Sequence, residues 1–121
     1  MSFSRREAWA LAAVVAVVGL AQVGWRWQVE QRQGAALAAV ARAGDIEMIS
    51  SLTCVYCAEA RRFLTQHQVP FNECFVERDA ACAARYQALG ARGTPTVLVR
   101  GQAQLGFDAE RVTAVLAAPR S

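Results

Sequence analysis

The chain has 121 residues, is 55% hydrophobic and carries a formal charge of +3, with thirteen arginines, no lysine and four cysteines. That length allows one folded domain. Residues 1–44 hold the entire charge excess, five arginines against two glutamates, while residues 45–121 balance eight arginines with eight acids. The folded part therefore lacks the basic footprint of a nucleic-acid-binding protein.

The first element in chain order is an apolar run from Ala8 to Trp25, interrupted only by Gln22 and two glycines and followed by Arg26-Trp27. About 20 apolar residues span a bilayer core and tryptophans collect at its interfaces, so residues 8–27 read as a single transmembrane helix. Two readings of it stand. An uncleaved signal anchor explains why the apolar run continues to the tryptophans. A cleavable signal peptide would use Arg5 and Arg6 as its basic region and Gly19-Leu20-Ala21 for cleavage. Residues 1–7 form a short N-terminus on the cytoplasmic side. Residues 28–44, polar and then alanine-rich between Gly34 and Gly44, read as a helical stalk, a solvated spacer.

From Asp45 the pattern alternates between strand and helix. A strand covers Ile46–Ser50. A helix begins near Cys57 and ends before Val69-Pro70, and a second strand covers Phe71–Glu77. Asp79 caps a helix over Ala80–Leu89, closed by Gly90. Thr96–Arg100 forms the third strand, Gly101 a turn and Gln104–Gly106 a short fourth strand. Asp108 caps a last helix, Ala109–Ala117. The order β-α-β-α-β-β-α predicts an α/β fold whose first two strands are parallel and whose last two form a hairpin, a four-stranded mixed sheet. Residues 45–118 make up the domain and 119–121 a tail.

Cys54-Val55-Tyr56-Cys57 lies where the first strand gives way to the first helix. Unpaired N–H groups at a helix start favour a thiolate and can bring a thiol from about 8.5 toward neutrality. Cys54, nearer solvent, is the candidate nucleophile, and Cys57, one turn inside, the resolving thiol. Such exchange needs no metal or organic cofactor. Cys74 and Cys82 are a candidate structural disulfide, with inert thiols and a redox relay as alternatives. Zinc is disfavoured, since the spacing C-x7-C misses the usual knuckle.

With this CxxC at the first strand–helix junction and Thr94-Pro95 opening the third strand, residues 45–118 resemble the thioredoxin superfamily. Within it they resemble the glutaredoxins, through Thr53 to Cys57, Arg92-Gly93-Thr94-Pro95 and Gly106-Phe107-Asp108. The resemblance implies a thioredoxin-like domain of glutaredoxin size, a cis Pro95 beside the CxxC, and thiol–disulfide oxidoreductase activity. It further implies that Tyr56, Arg92, Thr94, Gly106, Phe107 and Asp108 line a substrate or glutathione site. Asp108 is equally explained as a helix cap, and Arg92 as a solvated loop residue. Val55 stands where the glutaredoxin motif usually has proline, and Ser51 where many members have a lysine that meets a glutathione carboxylate.

Protein thiols and disulfides are the expected partners, with glutathione as an optional co-substrate and the domain a monomer. Arginines flank the apolar run about equally. Paired arginines on a short tail and an oxidised Cys74–Cys82 pair point to a bacterial inner-membrane protein with its domain on the periplasmic side. Two other functional classes fit the same chain: a non-catalytic membrane adaptor with a closed Cys54–Cys57 bond, and a metal or iron–sulfur module.

Overall fold

The computed structural model describes residues 2–119, so all but the first residue of the expected N-terminus and Pro119 of the expected tail fall within it. The chain divides into two compact units, one up to Arg32 and one from Gln33 onward. A 36-residue helix, α1 (Arg5–Val40), runs through both. In the first unit it is long and apolar enough to cross a membrane, and none of its apolar window is buried in protein.

The second unit contains β1 (Ile46–Ser50), α2 (Val55–Gln66), β2 (Asn72–Phe75), α3 (Ala80–Ala88), β3 (Thr96–Val99), β4 (Gln102–Leu105) and α4 (Ala109–Ala117). Its sheet has the order β2-β1-β3-β4, with β1 parallel to β2, antiparallel to β3, and β3 antiparallel to β4. This is the expected thioredoxin-like, four-stranded mixed sheet. Because side chains alternate along a strand, the two central strands supply two cores. Ile46, Met48, Val97 and Val99 join Ala60 and Leu64 of α2 and Val112 and Leu116 of α4 on one face. Ile49 and Leu98 point the other way, onto Cys82 of α3, with Cys74 and Tyr86 beside them.

The spacer expected over residues 28–44 needs correction, since its second half belongs to the folded unit. Leu37 is fully buried in the first core, with Ala38, Val40 and Ala41 packed around it. Gly34 is buried too, and a Cβ there would collide with the His67 imidazole. Small residues let this end of α1 lie close to the end of α2. His67 in turn caps α2 and stacks on Phe63 with ring centroids 4.5 Å apart.

Several element boundaries also differ from the sequence reading. The helix α2 starts two residues earlier than expected, because Cys54 itself is the N-cap. The strand β2 is shorter at both ends, since the N–H groups of Arg78 and Asp79 both bond back to the Phe75 carbonyl and turn the chain. In contrast, β4 begins earlier, at Gln102. Arg100 and Gly101 both adopt positive φ, 49° and 83°, a two-residue turn that pairs Val99 with Gln102 at once. The end of α3 follows the expected pattern, with Gly90 at φ 62° and Ala91 N–H bonded to the Tyr86 carbonyl, a Schellman closure.

A polar bridge ties α2 to the sheet beneath the first core. Fully buried Ser50 donates its hydroxyl to Glu73 Oε2 at 2.6 Å, and Arg61 binds Glu73 through Nε at 2.6 Å and Nη2 at 2.8 Å. Partial burial pushes the Glu73 carboxyl up, but the bonds from Arg61 and Ser50, with the Arg61 charge, outweigh it and hold it below the ordinary carboxylate value.

Two outcomes follow for the intact protein in detergent. Leu37→Ala should lower the unfolding free energy by about 2–5 kcal/mol, the cost of a large-to-small change in a packed core, read from urea midpoints by circular dichroism. A free spacer would give no change. Because the Glu73 pKa is lowered on folding, its contribution is fully present above the unfolded value and is lost as pH falls through the folded one. The urea midpoint should therefore drop as pH falls through and below the ordinary carboxylate range, less so in Glu73→Gln.

Candidate functional site

The strand pairing assembles the site at one end of the sheet. Ile49 of β1 pairs with Thr96 of β3, and Thr96 with Leu105 of β4. The exit of β1, the entry of β3 and the exit of β4 therefore lie side by side. The Cys54 loop leaves from the first, Thr94-Pro95 enters at the second, and Gly106-Phe107-Asp108 leaves from the third. Gly106 N–H bonds the Pro95 carbonyl at 2.8 Å, which fixes the second and third together.

Cys54 and Cys57 are joined in a disulfide with Cα atoms 5.2 Å apart. Cys54 has extended φ and ψ of −93° and 109°, and its sulfur accepts the Cys57 backbone N–H at 3.0 Å. A sulfur thus takes the place that a serine or aspartate oxygen fills at most helix starts. The first turn of α2 contains no acidic side chain to offset the positive end of the helix. Cys54 is partly exposed and Cys57 fully buried, so an incoming group reaches the first sulfur and not the second.

The Thr94–Pro95 peptide is cis, and Pro95 is fully buried. Thr94 is half-buried before it, and Thr96 closes the turn by donating its hydroxyl to the Gly93 carbonyl at 2.8 Å. Tyr56 stands on the first turn of α2, largely exposed. Gly106 has φ 75° and turns the chain out of β4, a conformation suited to glycine.

Two expected binding residues have structural work. Phe107 packs on Phe63 of α2, ring centroids 5.5 Å apart, and joins the first core. The Asp108 carboxylate accepts the Arg111 N–H at 3.0 Å and caps α4. Arg92 is exposed and lines a hollow of about 170 Å³ with Leu89, Thr96 and Gln104, and none of the four cysteines borders it. Cys74 and Cys82 form a second disulfide, Cα atoms 6.1 Å apart, joining β2 to α3. Among the described residues no cluster of histidine, cysteine or acidic side chains could hold a metal ion.

The residue that sequence reasoning missed is Glu77. Its Oε2 accepts the Leu52 N–H at 3.1 Å and its Oε1 the Ser51 hydroxyl, so it holds the loop that delivers Cys54. The parallel register was the available signal: Ser50 pairs with Phe75, which puts Leu52 level with Glu77.

Residues 46–103 match the glutaredoxin family model. No curated protein matches the chain. Among solved structures, the thioredoxin-like protein BC3987 is 30% identical, with 58% of this chain covering 97% of that one at a TM-score of 0.52. The glutaredoxin from Methanosarcina mazei Go1 is 22% identical over 62% of this chain and 80% of that one, also at 0.52. A glutaredoxin from Archaeoglobus fulgidus shares 18% identity over 61% of this chain and 87% of its own, at 0.50. The likeness covers the sheet and the loops that carry the cysteine pair, and the chain belongs to the thioredoxin superfamily as a glutaredoxin-like thiol–disulfide oxidoreductase.

Proposed function

We propose that the protein is tethered to a bacterial inner membrane by residues 8–27 and exchanges disulfides with envelope proteins or glutathione-linked substrates on the periplasmic side. The observation that carries the chemistry is the asymmetry of the pair: Cys54 partly exposed at the helix N-cap, Cys57 buried one turn inside. The apolar, unburied length of α1 supports the tether. Two disulfides, Cys54–Cys57 and Cys74–Cys82, suit an oxidising compartment.

In the reducing direction, the Cys54 thiolate attacks one sulfur of a substrate disulfide. A mixed disulfide forms and the first substrate thiolate leaves. The Cys57 thiol then loses its proton and attacks the Cys54 sulfur, which releases the second substrate thiolate and closes Cys54–Cys57. Two electrons pass from the dithiol to the substrate, and an external dithiol reopens the pair. The N–H of Cys57 and the start of α2 favour the Cys54 thiolate that begins this sequence. Pro95 and Thr94 form the opposite wall, where the backbone of Thr94 offers strand-like bonds to a substrate segment.

With dithiothreitol as donor and a model protein disulfide as acceptor, Cys54→Ser should abolish turnover. Cys57→Ser should instead trap a mixed disulfide visible on a non-reducing gel. Normal turnover in Cys54→Ser overturns the mechanism. For the tether, alkaline phosphatase fused after Ser121 should be active in cells, and an inactive fusion would place the domain on the other side.

A further inference from the structure

The loop from β1 to α2, which leads to Cys54, carries two hydrogen-bond donors suited to a carboxylate, the Leu52 N–H and the Ser51 hydroxyl. Glu77 takes both, one with each carboxylate oxygen. The same loop is closed by the Cys54 N–H, which donates to the Ser51 carbonyl at 3.3 Å. Glu77 is exposed, and the Ser51 hydroxyl, helped by backbone N–H groups, outweighs the desolvation that opposes it and holds its carboxyl below the ordinary range. A carboxylate of this protein therefore already fills both donors. Arg78, next in sequence, offsets part of that charge; it also lies over the Phe75 ring, 5.5 Å from its centroid.

The surface left open around Cys54 is mostly apolar. Leu52, Val55 and Tyr56 are 48%, 69% and 71% exposed, and Thr53 adds one hydroxyl. Large exposed apolar side chains flanking a reactive sulfur suit a partner that brings apolar side chains of its own.

We propose that Glu77 is a built-in occupant of the anion position beside Cys54, a specificity-determining residue that turns the site toward uncharged or cationic polypeptide disulfides and away from glutathione disulfide. The proposal rests on the exchange reading of Cys54 and Cys57 given above. Glutathione carries two carboxylates, and in this loop it meets donors already filled and a like charge. An apolar polypeptide segment meets no such penalty and covers Leu52, Val55 and Tyr56. The discrimination acts on encounter and on the mixed disulfide at Cys54, before Cys57 attacks.

The test is a single turnover by the full-length protein in detergent, reduced with dithiothreitol and desalted. Closure of Cys54–Cys57 is timed at low salt with two oxidants: oxidised glutathione, and a disulfide-linked, end-blocked peptide with leucine and phenylalanine beside its cysteines. Glu77→Gln keeps an acceptor for Leu52 and removes the charge; Glu77→Ala vacates both donors. The wild-type protein should prefer the peptide. The peptide-to-glutathione rate ratio should fall roughly tenfold in Glu77→Ala, the worth of one hydrogen bond to a charged group, and by a smaller factor in Glu77→Gln. The change should appear in the glutathione rate and shrink with added salt. An unchanged ratio in both variants, or a wild-type protein faster with oxidised glutathione, overturns the proposal. A wild-type dithiol that alkylates normally yet reacts with neither oxidant overturns the exchange reading itself.

Discussion

The antiparallel ladder between β1 and β3, from Ile46 against Val99 to Ile49 against Thr96, is the contact on which the rest of the domain depends. Both strands are internal to the sheet, so each buries side chains on two faces and supplies both cores at once. Shifting β1 by one residue against β3 would turn its faces over, setting Met48 against α3 and Ile49 against α2 while Val97 kept its place. It would also part the end of β1 from the start of β3. Hydrophobic burial thus fixes the register, and the register brings the cysteine loop level with the cis Pro95 turn.

Much of this was readable from residue order. Asp79 and Asp108 announce helix starts because their side chains cap orphan N–H groups, and both do so. Gly90 marks the end of α3, and the run from Thr96 to Val99 stands out as a strand buried along its whole length. The misread boundaries lie where an unusual residue takes a familiar role. A sulfur caps α2, and an arginine rather than a glycine opens the two-residue turn at Arg100. Leu37 escaped notice because alanines surround it, and an alanine-rich helix shows little periodicity from which to tell a packed face from a wet one.

The candidate site was legible to a different degree. Its cysteine pair, Cys54 and Cys57, announces itself through spacing, and Pro95 through the resemblance. Its electrostatic parts do not, because they depend on which side chains the sheet places together. Glu77 is twenty-three residues from Cys54 and reaches its loop only through the parallel pairing of β1 with β2. Conversely, Phe107 and Asp108 look like ligand residues in the sequence, yet the first packs on α2 and the second caps α4. The partly buried bridge of Ser50, Glu73 and Arg61 is equally silent in the sequence, since none of the three is near another along the chain.

The two disulfides share a plan and differ in one atom type. Each places a cysteine in the first turn of a helix, Cys57 in α2 and Cys82 in α3. At α2 the cap is the Cys54 sulfur, and the positive end of the helix is free to stabilise a thiolate there. At α3 the cap is the Asp79 carboxylate, which accepts the N–H groups of Ala81 and Cys82 and has already spent that potential. A Cys82 thiolate would also have to form beside Ile49 and Leu98, in an apolar cluster. Cys57 is as deeply buried as Cys82, so the contrast between the two bonds lies in the cap sulfur Cys54 and not in the cysteine one turn inside. The choice of sulfur or carboxylate at a helix cap thus gives the proposed exchanging bond and the strand-to-helix bond different electrostatic surroundings within one domain.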